Sequence, residues 1–397
     1  MIEIFKTQHN GTTNIYGQTL LRNERKIYPL LASRNKILIF QFNEIKTIWE
    51  SSIFFKSRYE IIAISCFKKI PYTALITSKI KKGKKEKPKF SLIILKKNLR
   101  NMEKETEQEI ILSFTPIFLS SFGFDFGFDC EFFLISDDNS KIHIFEMQQN
   151  MEFHEKEIKK GFLYELTQFK SPVINLIMRE LKDKRITIAG CQNGLLHLFI
   201  TQIDYENEAK KETIIHESEG FLNGPVSCLQ MIIPKSKKSK NISESTLNQI
   251  IEDNKEKQEK ITKRIHLLIS DTIESVLLLK NININGIPKF PFESSSLILK
   301  SSLFDSVTCM HLVHNPQFMK KSILFVGTFI GLFLVFQAKL SAEEWIEKKE
   351  LRTNLETPIF SIRSFISKIK NQLIISVATD SRLHFFQINI ISKENIN

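Results

Sequence analysis

A short pattern that returns along the chain most constrains how it can fold. It runs as an apolar strand end, a polar or small corner, then four to six residues ending apolar or aromatic. "ASRNKILIFQF" occupies 32–42, "ISDDNSKIHIFEM" 135–147 and "AGCQNGLLHLFIT" 189–201. "ISDTIESVLLLKN" follows at 269–281, "VGTFIGLFLVFQA" at 326–338 and "ATDSRLHFFQIN" at 378–389. Apolar runs bounded by Gly, Asp, Asn and Ser are the grammar of β-hairpins. The corners stand 54 residues apart from 136 to 190, 57 from 270 to 327 and 52 from 327 to 379. From 190 to 270 is 80 residues, which falls to about 50 once a charged stretch is set aside. From 33 to 136 is 103, twice one period; the missing corner falls in a Lys tract just before "KFSLIILKK", 89–97. Seven units of roughly 50 residues, each with several strands, predict an all-β, seven-bladed β-propeller of WD-like or FG-GAP-like type.

Further strands are expected at "IIAISCF" (61–67), "YTALIT" (72–77), "VINLIM" (173–178), "VSCLQMII" (226–233), "VTCMHLV" (307–313), "IFSIRSF" (359–365) and "QLIISVA" (372–378). Helical periodicity is scarce. "SAEEWIEKKELR" (341–352) fits either a short helix or an excursion between blades, and 244–264 a helical turn or two. The expected organisation is one closed domain over 1–397, interrupted by two charged insertions.

Net charge is +12, which invites a nucleic-acid reading. Its placement argues against one. Residues 79–89, "KIKKGKKEKPK", hold seven Lys and one Glu, and 235–264 hold nine basic and five acidic residues, so the two carry +10 of the +12. They lack periodic apolar residues and read as solvated, disordered loops. The rest of the chain is close to neutral, so no basic face is expected on the fold, and no specific nucleic-acid partner.

The five cysteines, at 66, 130, 191, 228 and 309, are an odd number with no CxxC pair, which excludes a metal knuckle and fits a reducing compartment. The N-terminus "MIEIFKTQHN" has no signal-peptide anatomy. The longest apolar run, 323–336, is 14 residues, too short to span a bilayer and divided by Gly327 and Gly331. A cytoplasmic protein without a transmembrane segment is expected.

Catalytic grammar is missing: the chain has no P-loop, no G-x-S-x-G elbow, no H-E-x-x-H and no G-x-G-x-x-G. Asp137–Asp138 brings too few oxygens for calcium and reads as a turn cap. Cys191 reads as a small buried residue. His143, His197 and His384 follow three different corners, and could share a metal only by converging on the channel. Asp305, Ser306 and His311 are the residue types of a hydrolytic triad, but triad members come from separated elements. Gly190 and Gly194 are expected to serve tight backbone turns. Neither enzyme nor cofactor nor metal is expected.

Taken in order, "NIYGQTLL" (14–21), "LSFTPIFL" (112–119), "FLISDDNSKIHIFEM" (133–147), "ITIAGCQNGLLHLF" (186–199), "NGPVSCLQMII" (223–233) and "LFDSVTCMHLV" (303–313) resemble the kaptin family, as do "LFVGTFIGLFLVFQ" and "IISVATDSRLHFFQ". The resemblance rests on Gly190, Cys191, Gln192 and Gly194 of "GCQxG", Gly224 and Pro225 of "GPVS", and Phe304, Asp305 and Ser306 of "FDSV". It implies structural roles for these positions. It also implies a non-catalytic scaffold: a KICSTOR subunit that pairs with a second, FG-GAP-like propeller and holds the GATOR-type GTPase-activating complex at the lysosome. There it restrains TOR signalling when amino acids are scarce. The alternative it carries is an actin-associated propeller at the cytoskeleton. The chain departs from the family where "VHNPQFMKKS" (313–322) and "SFISKIKNQ" (364–372) lack the acids of FG-GAP-like loops, so calcium dependence is not expected. It also stops shortly after its last strand, so contacts of the family's C-terminal tail are not expected.

Overall fold

The computed structural model describes residues 1–8, 16–23, 26–43, 48–80, 87–97, 104–123, 131–159, 161–181, 183–206, 209–233, 264–272, 275–284, 296–300, 305–314, 321–339, 341–342, 344–367 and 372–389. These residues form seven antiparallel sheets, six of four strands and one of five. Strands follow chain order within each sheet and are lettered a to d from the axis outward. The a strands of blades 1 to 7 are Gln18–Asn23, Glu60–Cys66, Pro116–Gly123, Val173–Leu181, Val226–Ile232, Val307–Val313 and Ile359–Ser367. Each touches the next, and the last touches the first, so the ring is closed.

The recurring corners are the b–c hairpins. Strands b of blades 3 to 7 are Glu131–Asp137, Lys184–Cys191, Arg264–Asp271, Lys321–Thr328 and Gln372–Thr379, and they are buried almost end to end. Blades stack face against face, so a middle strand is covered on both sides and must be apolar at consecutive positions. In blade 2 the hairpin joins Tyr72–Lys79 to Lys89–Lys97, with Lys79 opposite Lys89, so the missing corner is the Lys tract. Residues 81–86 of that tract, and 235–263 of the second insertion, lie outside the described residues. The second insertion departs from the a–b hairpin of blade 5, between Val226–Ile232 and Arg264–Asp271.

Six a strands share a β-bulge next to their first residue: the register shifts at Ile61/Ala63, Pro116/Phe118, Val173/Asn175, Val226/Cys228, Val307/Cys309 and Ile359/Ser361. A bulge raises local twist, which bends each blade as it enters the axis. In four blades the residue just before strand a takes a hydrogen bond from the b–c corner: Asp138 N–H to Thr115, Gln192 to Pro172, Thr272 to Pro225 and Phe329 to Ser306, at 2.9–3.2 Å. Proline suits that position, since it accepts there and has no N–H to leave unpaired.

Blade 7 takes its outer strand from the other end of the chain. Ile2–Gln8 pairs with Arg382–Asn389. Phe385 then stacks on Trp49 of blade 1 at 4.5 Å, with Phe5 and Phe40 at 5.8 and 5.6 Å. Full burial of each such side chain contributes about 2–3 kcal/mol. The stretch 341–352 is not an α-helix: Trp345–Glu347 is the outer strand of blade 6, followed by a single 3₁₀ turn, Lys349–Leu351. Pairing with Leu332–Lys339 of the same blade captures it.

Candidate functional site

The motif residues meet at the joints between blades. Gly190 is not in a turn, contrary to expectation. It is the penultimate residue of Lys184–Cys191, and a Cβ there would lie 2.5 Å from Val226 Cγ1, at the start of blade 5. Its requirement is for close approach, not for an unusual backbone. Gly327 repeats the arrangement in blade 6, where a Cβ would lie 2.6 Å from Ile359 Cγ2. Gly194 does occupy the turn, at φ +85°, and its carbonyl accepts from Leu222 N–H at 2.9 Å. Its own Cβ position lies 2.9 Å from the Gly224 carbonyl, so "GCQNG" and "NGPVS" form one contact. Gly190→Leu is expected to cost about 1–3 kcal/mol by overpacking and to lower the melting temperature by roughly 1–4 °C in a chain of this size. Melting alongside the parent would show that blade 5 can retreat.

Cys191 is buried, and burial pushes its thiol up to about 12, the opposite of an activated nucleophile. Pro225 supplies the carbonyl bonded to Thr272. Asp305 Oδ1 accepts from Ile330 N–H at 3.1 Å. The Ser306 carbonyl serves the corner, while His311 Nε2 pairs with Ser364 Oγ at 2.8 Å, so the three do not assemble as a triad. Phe304 lies outside the described residues. Asp137 caps its turn, accepting from Asn139 and Lys141 N–H at 2.9 and 2.7 Å.

His143, His197 and His384 stay in their own blades. Each is on a c strand and faces a glutamate of the d strand: Glu155 at 2.7 Å, Glu219 at 3.3 Å and Glu3 at 2.5 Å. Hydrogen bonds from His143 to Glu155 and from His384 to Glu3 fasten the outer strand, the second holding the closing strand, while His197, its pKa lowered by burial, sits beside Glu219 without a hydrogen bond. Among the described residues, one group has metal-ligand spacing: His197, Glu217 and Glu219, with ligand atoms within 4.8 Å of one another. Lys170 already sits 3.0 Å from Glu219.

Sequence reasoning missed the buried Arg185. Its guanidinium holds Glu165 at 2.6 and 3.1 Å and Glu212 at 2.8 and 2.5 Å, with Glu180 at 3.6 Å. Burial disfavours its charge, but the Glu212 hydrogen bonds and the Glu165 charge outweigh that and hold it above its ordinary value. The cluster ties the segment before blade 4 (Glu165, in the 3₁₀ turn Tyr164–Thr167) to strands a, b and d of that blade. Arginine and glutamates at 20- and 27-residue separations carry no local signal.

Two surfaces remain. Outer strands of five blades expose an isoleucine: Ile53, Ile111, Ile215, Ile346 and Ile2. The axial cavity gathers basic side chains from four blades, Arg22, Lys68, Arg179 and Arg363. The expectation of no basic surface is therefore corrected. These residues are far apart in sequence, and the ring brings them together.

Fold and joints together define a closed, seven-bladed β-propeller whose corner motifs hold blade to blade. Similarity to solved structures agrees. One chain of the lead-soaked crystal structure of BBS1N in complex with ARL6DN has a TM-score of 0.57 and 10% identity, covering 100% of this chain and 98% of that one. The mercury-soaked counterpart gives 0.55 and 10%, covering 98% of each. A chain of the mitotic checkpoint complex gives 0.52 and 11%, covering 98% and 95%. No curated protein matches this chain. The sequence model of the family described as KICSTOR complex protein kaptin matches residues 3–396, and the chain belongs to that family. No helix among the described residues is long and apolar enough to cross a membrane.

Proposed function

We propose that this protein is a non-catalytic scaffold, a propeller subunit of a KICSTOR-type assembly. It binds a second, FG-GAP-like propeller subunit and helps hold a GATOR-type GTPase-activating complex at the lysosomal surface. Through that placement it restrains TOR signalling when amino acids are scarce. It works from the cytoplasm, as a peripheral protein. The observation that carries this reading is the family match over residues 3–396. The isoleucines on the outer strands support it: an edge strand with apolar side chains is ready to pair with another chain. The two Lys-rich segments enter as insertions of a single domain. A stable partner interface would bury about 1,000 Å² or more.

Affinity purification of the tagged full chain tests this. Co-purification of a second propeller subunit and GATOR-type components is expected, and recovery of neither would sink the reading. Co-sedimentation with actin filaments that survives deletion of 79–89 and 235–264 would replace it with the cytoskeletal alternative. A salt-sensitive signal lost on those deletions is nonspecific charge.

A further inference from the structure

The axial cavity has a volume of about 570 Å³ at the end where the a strands finish. Its lining includes Arg22, Lys68, Arg179 and Arg363, from blades 1, 2, 4 and 7, and among the described residues no aspartate or glutamate. The adjoining stretch of the channel, which shares Arg363, has no acidic lining residue among the described residues either. Glu131 stands beside Lys68, accepting from the backbone N–H groups of Lys68, Lys69 and Ile70 at 2.8–3.3 Å, so the excess positive charge rests with the three arginines. Arg363 makes its hydrogen bond to the Ile362 carbonyl at 3.0 Å, and among the described residues no carboxylate pairs with it. Part of its surface faces the cavity, yet protein surrounds it closely enough that burial works against its charge.

The neighbours register the resulting field. Burial and Arg363 together push His311 down to about 3, and burial, with Arg179 acting the same way, lowers His314. A desolvated guanidinium without a counter-ion is unfavourable. Like charges converging between low-dielectric walls focus their potential on the space between them. An arrangement of this kind is balanced by an anion. The cations come from four blades around one cavity of about 570 Å³, so the charge they fit is compact and multivalent. Three of the four are arginines, whose planar fork suits phosphate oxygens.

We infer that the axial channel is a binding site for a compact, multiply charged phosphate-bearing anion, held by Arg22, Arg179 and Arg363. The site does not depend on the scaffold reading.

Calorimetry and thermal melts of the full chain test it, with inositol hexakisphosphate and pyrophosphate as probes and sulfate at equal ionic strength as control. Saturable one-to-one binding is expected, weakened about tenfold or more by Arg363→Gln and by Arg179→Gln. Without anion, Arg363→Gln is expected to melt no lower than the parent, because it removes an unpaired desolvated charge; a purely structural arginine would behave oppositely. Binding should persist when 235–264 is deleted. Vesicles carrying a phosphoinositide form a second arm. Vesicle binding competed by the soluble probe assigns the anion to lipid headgroups, and soluble binding alone assigns it to a free molecule; either supports the site. The proposal is overturned if no phosphate probe binds saturably, if only a polyaspartate peptide binds, if both arginine variants bind like the parent, or if deleting 235–264 abolishes binding.

Discussion

Arg185→Met is expected to destabilise the protein by about 3–5 kcal/mol, because it leaves buried acids without their cation. For a chain of 397 residues that corresponds to a fall in melting temperature of roughly 4–6 °C. The argument rests on numbers of charges. Three glutamates, 165, 180 and 212, lie within 3.6 Å of one guanidinium, and all four side chains are almost fully excluded from solvent. Thr187 Oγ1 donates to Glu165 and Leu163 N–H to Glu212, at 3.1 and 2.7 Å, so these carboxylates are held by neutral donors as well. Such donors cannot replace a full positive charge. Adding Glu165→Leu and Glu212→Leu to Arg185→Met should recover part of the loss, leaving Glu180 as the one acid deprived of the arginine, since apolar replacement of buried ionic groups together is often neutral. Thermal melts of the single and triple variants decide the matter. A single variant within about 1 kcal/mol of the parent would show that the cluster takes up protons or water when the arginine leaves.

Deletion of Ile2–Gln8 is expected to cost about 4 kcal/mol or more, at about 1 kcal/mol for each lost ladder hydrogen bond and more for the Phe5 contact. The strand covers Leu383, Phe385 and Phe386, all buried in the intact protein, and provides Glu3 to His384. Its loss also leaves Arg382–Asn389 as a bare apolar edge, which is a template for pairing with another copy. Melting should fall by at least roughly 5 °C, and light scattering should show self-association. Phe5→Ala should show a smaller shift in the same direction. A monodisperse deletion variant with the parent's melting temperature would mean that another contact closes the ring.

Strands b and c were legible in the sequence, and strands d were not. "EFFLISD" (131–137) and "KSILFVGT" (321–328) are covered on both faces, so their burial is written as consecutive apolar residues. "KETEQEIIL" (104–112) and "AKKETIIHESEGF" (209–221) turn one side to water and carry charge there, which no apolar run reveals. The b–c corners were legible for a related reason. Each needs polar or flexible residues between two apolar runs, and Gly194 at φ +85° is the plainest case. The role of Gly190 was not legible, because the atom it must avoid belongs to Val226, in the next blade.

The sequence by itself therefore determined the period, the number of units, the corners and the family motifs, all of them written within one blade's length of chain. Tertiary structure alone decided what depends on residues far apart. It set the closing strand, which joins Glu3 to His384 across 381 positions. It assembled the Arg185 cluster from four segments. It also brought Arg22, Arg179 and Arg363, from three blades of a near-neutral body, to one channel. The physical reason is the same in each case. Local pattern reports which side of a strand is dry, while charge pairing and ring closure depend on which strands become neighbours.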